Sequence, residues 1–523
     1  MKDSIRCIEK EREALLKFKD ELIDEHGRLS SWGNEKYKKD CCKWSGVFCD
    51  NQTNHIVGLD IGNPYETTPL RGEVSCPALS SSLEVLDLSN NTFNGTMSQC
   101  IGSLSKLEVL FLGSNNFEDI ITESYFFNVS QLQFLQLSYN PGISFNISSG
   151  WNPPFQATNV YLAGCKVGPH FPTWLRTQTR LEYLDISNAE ISDTFPDWFW
   201  ELSPKLSGLI VSHNNFQGVL PDLSSKFSTF GTIDLSFNHF NGSLPILPHN
   251  GSVLDLSSNE FSGSNEFFGS IPSNLCHLAH LQVLDFSLNK ISGGIPKCLN
   301  NLTAMIQVGS AFDRSFLLQY SEGFESAFLT WKGKEAEYIN TLNLVKLIDL
   351  SCNNLEGVVP DEITSLVMLV GLNLSRNNLS GFLPTNIGQL RLSYNNLLGK
   401  IPKSIHLQTF NDSAFEGNPG LCGLPLTKVC PGDENAQVPK INENADGMKN
   451  PEEEDELINE GFYISIAVGF VFGFWGVCGT LIVNDSLRIA FFKLWNCVMD
   501  WVYIKIAISK IRLREACHKF VKF

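Results

Sequence analysis

Leucine recurs along this 523-residue chain in a fixed frame rather than in runs. The stretch LEVLDLSNNTFNG at 83–95 reads L-x-x-L-x-L-x-x-N-x-F-x-G, and the same frame returns repeatedly. Its Asn position falls at Asn91, Asn115, Asn140, Cys165, Ala189, Asn214, Asn238, Asn259, Asn289, Asn353, Asn377 and Asn395. Most intervals are 24 or 25 residues, with Asn259 early by that measure and Asn289 late. A constant period of this kind marks a solenoid in which each unit is one coil. The L-x-L alternation predicts a short strand per coil, leucines inward and intervening residues outward. The Asn amide at the turn is suited to satisfy backbone groups of adjacent coils. Cys165 is a tolerated substitute, whereas Ala189 cannot make those bonds, so its turn is expected to be weaker. No coil buries its apolar face alone; stacking does so, at about 1.5–3 kcal/mol per buried Leu or Phe.

Two departures interrupt the period. Asn289 and Asn353 are 64 residues apart, and the extra length holds FDRSFLLQYSEGFESAFLTWKGKEAEYINTL, without a leucine frame. Its aromatics (Phe312, Phe316, Tyr320, Phe324, Phe328, Trp331 and Tyr338) favour an ordered insertion, because disordered segments are aromatic-poor. Asn377 and Asn395 are only 18 apart, and LPTNIGQLRLSYNNLLGKIP joins the start of one repeat to the end of another. A coil so short is expected not to complete strand, turn and return, leaving the solenoid strained or the sequence incomplete there.

Outward residues beside the second strand leucine form columns on one face. Asp is the usual occupant of the first, at Asp87, Asp185, Asp234, Asp255, Asp285 and Asp349, which predicts a solvated acidic face. Phe111, Gln136, Tyr161, Ile210 and Arg391 depart from it, and Val109, Phe134, Asn159 and Tyr183 occupy the neighbouring column. Phe111, Phe134, Tyr161 and Tyr183 therefore fall on four successive coils and are expected to form an exposed aromatic patch, the candidate ligand-binding surface. The competing explanation is cross-strand packing that only stabilises the face.

Composition changes this picture little. The formal net charge is −17, which leaves no basic footprint for nucleic acid. The sequence has no GxSxG, HExxH or GxxxxGK motif and no zinc-type ligand spacing, so neither an enzyme nor a metal or cofactor protein is expected. Fifteen cysteines, clustered toward the ends of the repeat region, fit disulfides and an oxidising compartment. Cys76 and Cys100 lie 24 residues apart, one coil, which stacks them within disulfide range, and Cys276 with Cys298, 22 apart, are a second such pair. Eleven glycosylation sequons point the same way: Asn51, Asn90, Asn94, Asn128, Asn146, Asn241, Asn250, Asn301, Asn373, Asn378 and Asn411. The first residues, MKDSIRCIEKEREALL, carry no signal-peptide core, and we expect the sequence to be a mature or truncated product.

Residues 462–483 form an uncharged apolar stretch long enough to span a membrane. An acidic segment precedes it, and Arg488, Lys493, Lys505, Lys510, Arg512, Arg514, Lys519 and Lys522 follow. The positive-inside rule then predicts a single-pass protein with the repeats outside the plasma membrane. Gly469, Gly473 and Gly476 recur at spacings that let a second helix approach closely, the candidate helix-pairing surface. The tail, 484–523, is too short for a kinase and lacks kinase motifs; its mixed apolar and basic residues suit the inner leaflet.

Many coils continue with GxIP, as in GSLP at 242–245, GGIP at 293–296, GVVP at 357–360, GFLP at 381–384 and GKIP at 399–402. This resembles the plant-type leucine-rich repeat. EREALLKFKDEL with LSSWGNEKYKKDCCKWSGVFCD resembles the N-terminal cap of such proteins, and FEGNPGLCGLPLTKVC their C-terminal cap. With WKGKEAEY in the insertion, the whole is similar to the plant leucine-rich-repeat receptor-like proteins. That resemblance implies an α/β-type leucine-rich-repeat solenoid, parallel β on the concave face, with a single C-terminal transmembrane helix. It implies the disulfides Cys7–Cys41, Cys42–Cys49 and Cys422–Cys430. It divides the chain into an N-terminal cap (1–55), repeats (56–299), an island (300–344), further repeats (345–405), a C-terminal cap (406–430), an acidic linker (431–461), the membrane helix (462–483) and a cytoplasmic tail (484–523). It further implies a kinase-less cell-surface receptor for an extracellular peptide, protein or glycan, microbial ones included, acting in defence. Such a receptor would work with a receptor-like kinase adaptor and a co-receptor. Trp331, Lys332, Lys334 and Tyr338 are the island's candidate partner contacts. A secreted inhibitor of the polygalacturonase-inhibiting type, or a truncated non-signalling relic, are the alternatives.

Overall fold

The computed structural model describes residues 7–63, 68–74, 81–97, 101–227, 230–249, 251–262, 270–307, 326–331, 334–339, 345–385, 390–402 and 411–431. Of the island strands 326–331 and 334–339 only the backbone is described. The chain divides into units Met1–Gln437 and Val438–Phe523, and every described residue belongs to the first.

Each L-x-L segment is a short strand, and fourteen of them make one sheet in chain order, from Val47–Cys49 through Val85–Asp87 and Val283–Asp285 to Leu390–Arg391. The first pair, Val47–Cys49 with Ile56–Asp60, is antiparallel; the later pairs are parallel. Pairing is in register, so the central Leu or its equivalent forms one buried column: Leu86, Leu110, Leu135, Val160, Leu184, Leu209, Ile233, Leu254, Leu284, Ile348 and Leu372.

The Asn ladder has the predicted chemistry. Asn115 donates through Nδ2 to Leu88 O of the preceding coil (2.9 Å) and Leu112 O of its own (3.0 Å), while its Oδ1 accepts the Phe93 N–H at 2.9 Å. The residue before each Asn takes a left-handed conformation to make the turn, φ +53° at Ser114 and +51° at Phe237. At Cys165 the ladder narrows to one Sγ–H bond to Leu137 O at 3.2 Å. At Ala189 the missing amide is replaced from both sides. Asn214 Oδ1 accepts the N–H of both Ala189 and Ile191, and Ala189 O accepts from Val167 and Gly168.

The short coil does close, contrary to expectation. Asn395 donates to Leu374 O at 2.9 Å and accepts from Leu379 N–H at 3.0 Å, as a full coil would. Strand Leu390–Arg391 pairs with Gly371–Asn373, and Asn396–Lys400 with Asn378–Phe382. Both fixed points of the coil, strand and turn, are therefore kept, and the deficit falls on the return segment between Phe382 and Leu390. The ladder even extends one step further, because Asn418 donates to Leu392 O at 2.9 Å inside the C-terminal cap.

Both ends are sealed covalently. Cys7–Cys41 and Cys42–Cys49 tie the N-terminal cap, where helix Glu9–Asp20 buries Leu15 and Phe18, and Trp32 stacks on Trp44 at 5.4 Å. Cys422–Cys430 closes the other end. Cys276–Cys298 joins neighbouring coils, Cα–Cα 5.6 Å. Cys76 and Cys100 lie outside the described residues.

Candidate concave binding face

The sheet register sorts the outward residues into two columns flanking the buried leucines. One runs Val85, Val109, Phe134, Asn159, Tyr183, Gly208; the other runs Asp87, Phe111, Gln136, Tyr161, Asp185, Ile210. Phe111 and Tyr161 therefore belong to the second column and Phe134 and Tyr183 to the first, so the aromatics zigzag over four adjacent strands. They do not form the fully exposed patch expected: all four are half-buried. Part of the cause is that the rings cover one another and their neighbours. Tyr161 and Tyr183 pack with centroids 4.8 Å apart. Tyr183 lies over the next strand's Gly208, where any Cβ would come within 2.2 Å of its ring. Asn159 Nδ2 donates to the Tyr161 hydroxyl at 3.2 Å, and burial lifts that hydroxyl's pKa to about 12, so it stays protonated. The arrangement offers ring faces and two phenols, that of Tyr161 held by Asn159, with no charge of its own.

Farther along, the Asp column is not the solvated face that the sequence suggests. Asp234, Asp255, Asp285 and Asp349 stand in register on adjacent strands, and the last three are buried. Each accepts the backbone N–H of the Ser two residues on, as in Ser287 N–H to Asp285 Oδ1 at 2.9 Å, so the carboxylate braces the turn leading to the ladder Asn. Burial first and the neighbouring Asp349 second push Asp285 up to about 8; burial likewise raises Asp234 and Asp255. The signal in the sequence is the D-x-S spacing, which describes a side chain turned back on its own backbone rather than toward water. The column ends at Asn373, whose Nδ2 donates to Asp349 Oδ2 at 2.9 Å, and Arg391, which is exposed.

The sequons distribute unevenly. Asn51, Asn94, Asn128, Asn146, Asn241, Asn301, Asn378 and Asn411 are exposed, Asn90 and Asn373 are half-buried, and Asn250 lies outside the described residues. Asn373 commits its amide to Asp349 and its Oδ1 to Ser375, so of the ten described it is the one least able to carry a glycan in the folded state.

In the island, Ser326–Trp331 and Lys334–Ile339 form an antiparallel hairpin in which Trp331 pairs with Lys334. That places Trp331, Lys334 and Tyr338 on one two-stranded element; Lys332 lies outside the described residues. Gly469, Gly473, Gly476 and the whole of 462–483 also lie outside them, and among the described residues no helix is long and apolar enough to cross a membrane. Cys7, Cys41 and Cys42 bring three sulfurs together, but all three are in disulfides and none is available to a metal.

In-register parallel strands, an asparagine ladder and disulfide-closed caps define a leucine-rich-repeat solenoid protein. Sequence comparison agrees: a model described as Leucine rich repeat N-terminal domain matches residues 8–50. Leucine rich repeat models match 81–141 and the single repeats 180–202, 280–302, 345–366 and 368–390. Receptor-like protein EIX2 of Solanum lycopersicum is 32% identical over 75% of this chain and 53% of its own length. Receptor-like protein EIX1 of the same plant is 32% identical over 76% and 53%. Receptor-like protein 47 of Arabidopsis thaliana is 35% identical over 39% and 24%. The chain belongs to the plant leucine-rich-repeat receptor-like proteins, and it spans about half the length of the curated relatives EIX2 and EIX1. Among solved structures, the PEPR1–AtPEP1 crystal structure is similar at 22% identity and a TM-score of 0.49, covering 76% of this chain and 53% of that one.

Proposed function

We propose that this chain is a cell-surface receptor-like protein of plant defence, recognising an extracellular ligand on its concave face and signalling through membrane-borne receptor kinases. The observation that carries this reading is the aromatic zigzag of Phe111, Phe134, Tyr161 and Tyr183, which runs over four adjacent strands of the face. Aromatic rings, two of them carrying hydroxyls, are the usual anchors of a recognition surface. Their contact would suit the apolar and hydrogen-bonding groups of a peptide, protein or glycan. The sequence of 462–483 supports a single-pass anchor, with Gly469, Gly473 and Gly476 as the close-approach surface for a kinase helix. Trp331, Lys332, Lys334 and Tyr338 on the island are the further partner contacts in this reading.

The test replaces the four aromatics by alanine and measures ligand-dependent signalling in cells expressing the chain. The reading expects a loss of response at unchanged surface level; an unchanged response at unchanged surface level contradicts it.

A further inference from the structure

Many coils carry a second short strand outside the concave sheet, ending at or beside a glycine with left-handed backbone. The residue after that glycine is Glu73, Thr96, Val219, Ser243 and Gly294 in earlier coils, then Val358, Phe382, Lys400 and Leu424 toward the C-terminal end. The column thus turns from mixed to apolar where the solenoid finishes. Val358 is 55%, Phe382 73% and Leu424 75% exposed. Leu398, which pairs with Phe382, and Val429 are exposed as well. The Cys422–Cys430 disulfide holds the loop that carries Leu424 and Val429. Five large apolar side chains gathered at one end of a molecule mark a contact surface.

The shape of this surface narrows what it can meet. Each side chain lies over the glycine of the next coil: a Cβ at Gly381 would come within 2.8 Å of Val358, one at Gly399 within 2.5 Å of Phe382, and one at Gly423 within 3.5 Å of Lys400. The glycines leave a low, continuous strip with no pocket for the anchor residue of a protein partner. A bilayer needs no pocket; it takes an apolar strip bordered by cations whose stems lie along it. Lys400 stands in the column, and Lys428 in the same loop as Leu424 and Val429. The last four members of the column include no carboxylate, and Glu356 pairs with Asn378 at the ends of their strands away from Val358 and Phe382. Position agrees. The chain runs from Cys430 through 431–461 to the apolar stretch 462–483, so this end of the solenoid is the one tethered to a membrane. The first strand of the sheet lies thirteen strand spacings away, roughly 60 Å.

We infer that the strip Val358–Phe382–Leu424, with Leu398 and Val429, rests on the outer lipid surface of the membrane. The inference rests on the single-pass reading of 462–483 and adds a second, reversible contact to it. Its consequence is orientation. A solenoid held to lipid along the outside of its last coils is not free to swing about its linker, and its concave face is turned away from the bilayer toward an incoming ligand.

Labelling from within the lipid tests this on the full-length chain. The chain is reconstituted into phosphatidylcholine vesicles containing a small share of a carbene-generating phosphatidylcholine, illuminated, and the labelled peptides are read by mass spectrometry. Val219 is the reference, because it holds the same column position, is 67% exposed and lies far from the cap. Peptides carrying Phe382 and Leu424 should take up at least tenfold more label than the peptide carrying Val219. Phe382→Glu with Leu424→Glu should remove that excess; both side chains are exposed, so the fold should be kept. Label in 462–483 reports the anchor separately. Label in 462–483 without excess at Phe382 and Leu424 overturns the inference and leaves the anchor standing. Label in neither overturns both, and excess at Phe382 and Leu424 without label in 462–483 supports the lipid contact while contradicting the anchor. Equal label at Val219, or excess that survives the double substitution, also overturns the inference.

Discussion

Asn214 makes one hydrogen bond more than Asn115 does. Its Oδ1 serves two N–H groups and its Nδ2 reaches Ile186 O, Val211 O and Ser212 O. Replacing it by Ala leaves those buried groups without partners and is expected to cost on the order of 3 kcal/mol. Asn115→Ala, with one N–H to lose, should cost about 1 kcal/mol less; thermal unfolding of the two variants side by side measures the difference. Asp285 gives a pH prediction at the same scale. Its folded pKa, about 8, lies above the ordinary carboxylate value, so the folded state holds a proton that the unfolded chain releases. Its contribution is therefore favourable at low pH and is lost as pH rises through about 8. Stability should fall between about pH 4 and about pH 8, and Asp285→Asn should flatten that slope in unfolding measured across the range. A stability that rises over the range in the native chain contradicts the sign.

Elements answer differently from residues. Cys276–Cys298 closes a 22-residue loop, one coil in length, and its removal is expected to cost about 3 kcal/mol on the chain-entropy account, seen as a lowered unfolding midpoint in Cys276→Ser with Cys298→Ser. Gly208 is an open seat for the Tyr183 ring, so Gly208→Leu should displace that ring and weaken ligand response while the strand stays paired through its backbone. Much of this was legible in the sequence. The Asn column and the strand leucines stood out because the ladder tolerates few substitutes, and the disulfide pairs followed from coil spacing or from the caps. The buried aspartates were misread, because their column looks outward by alternation while its side chains turn back onto Ser N–H groups. The island hairpin was invisible to the leucine frame, and Asn418 was missed because its coil, AFEGNPGL, carries Phe415 in place of the expected leucine. The short coil looked broken because length was counted along the chain, while closure depends only on the strand and the turn.

At the scale of the whole molecule, the proposed function assigns recognition to the concave face and transmission to the membrane. A solenoid is stabilised coil by coil, so the shortened coil at Asn395 need not unseat the distant concave aromatics. In the proposed function, what couples recognition to a response is the company kept in the bilayer at the glycine face of 462–483. The most direct measurement is recovery of the tagged full-length chain from plant membranes, with mass spectrometry of co-purifying proteins, beside Gly469→Leu with Gly473→Leu at equal surface level. Receptor-like kinases are expected with the native chain, and at least a several-fold loss of them with the variant. Kinases absent from the native sample, or recovered equally with both, would contradict transmission through a partner held at the glycine face.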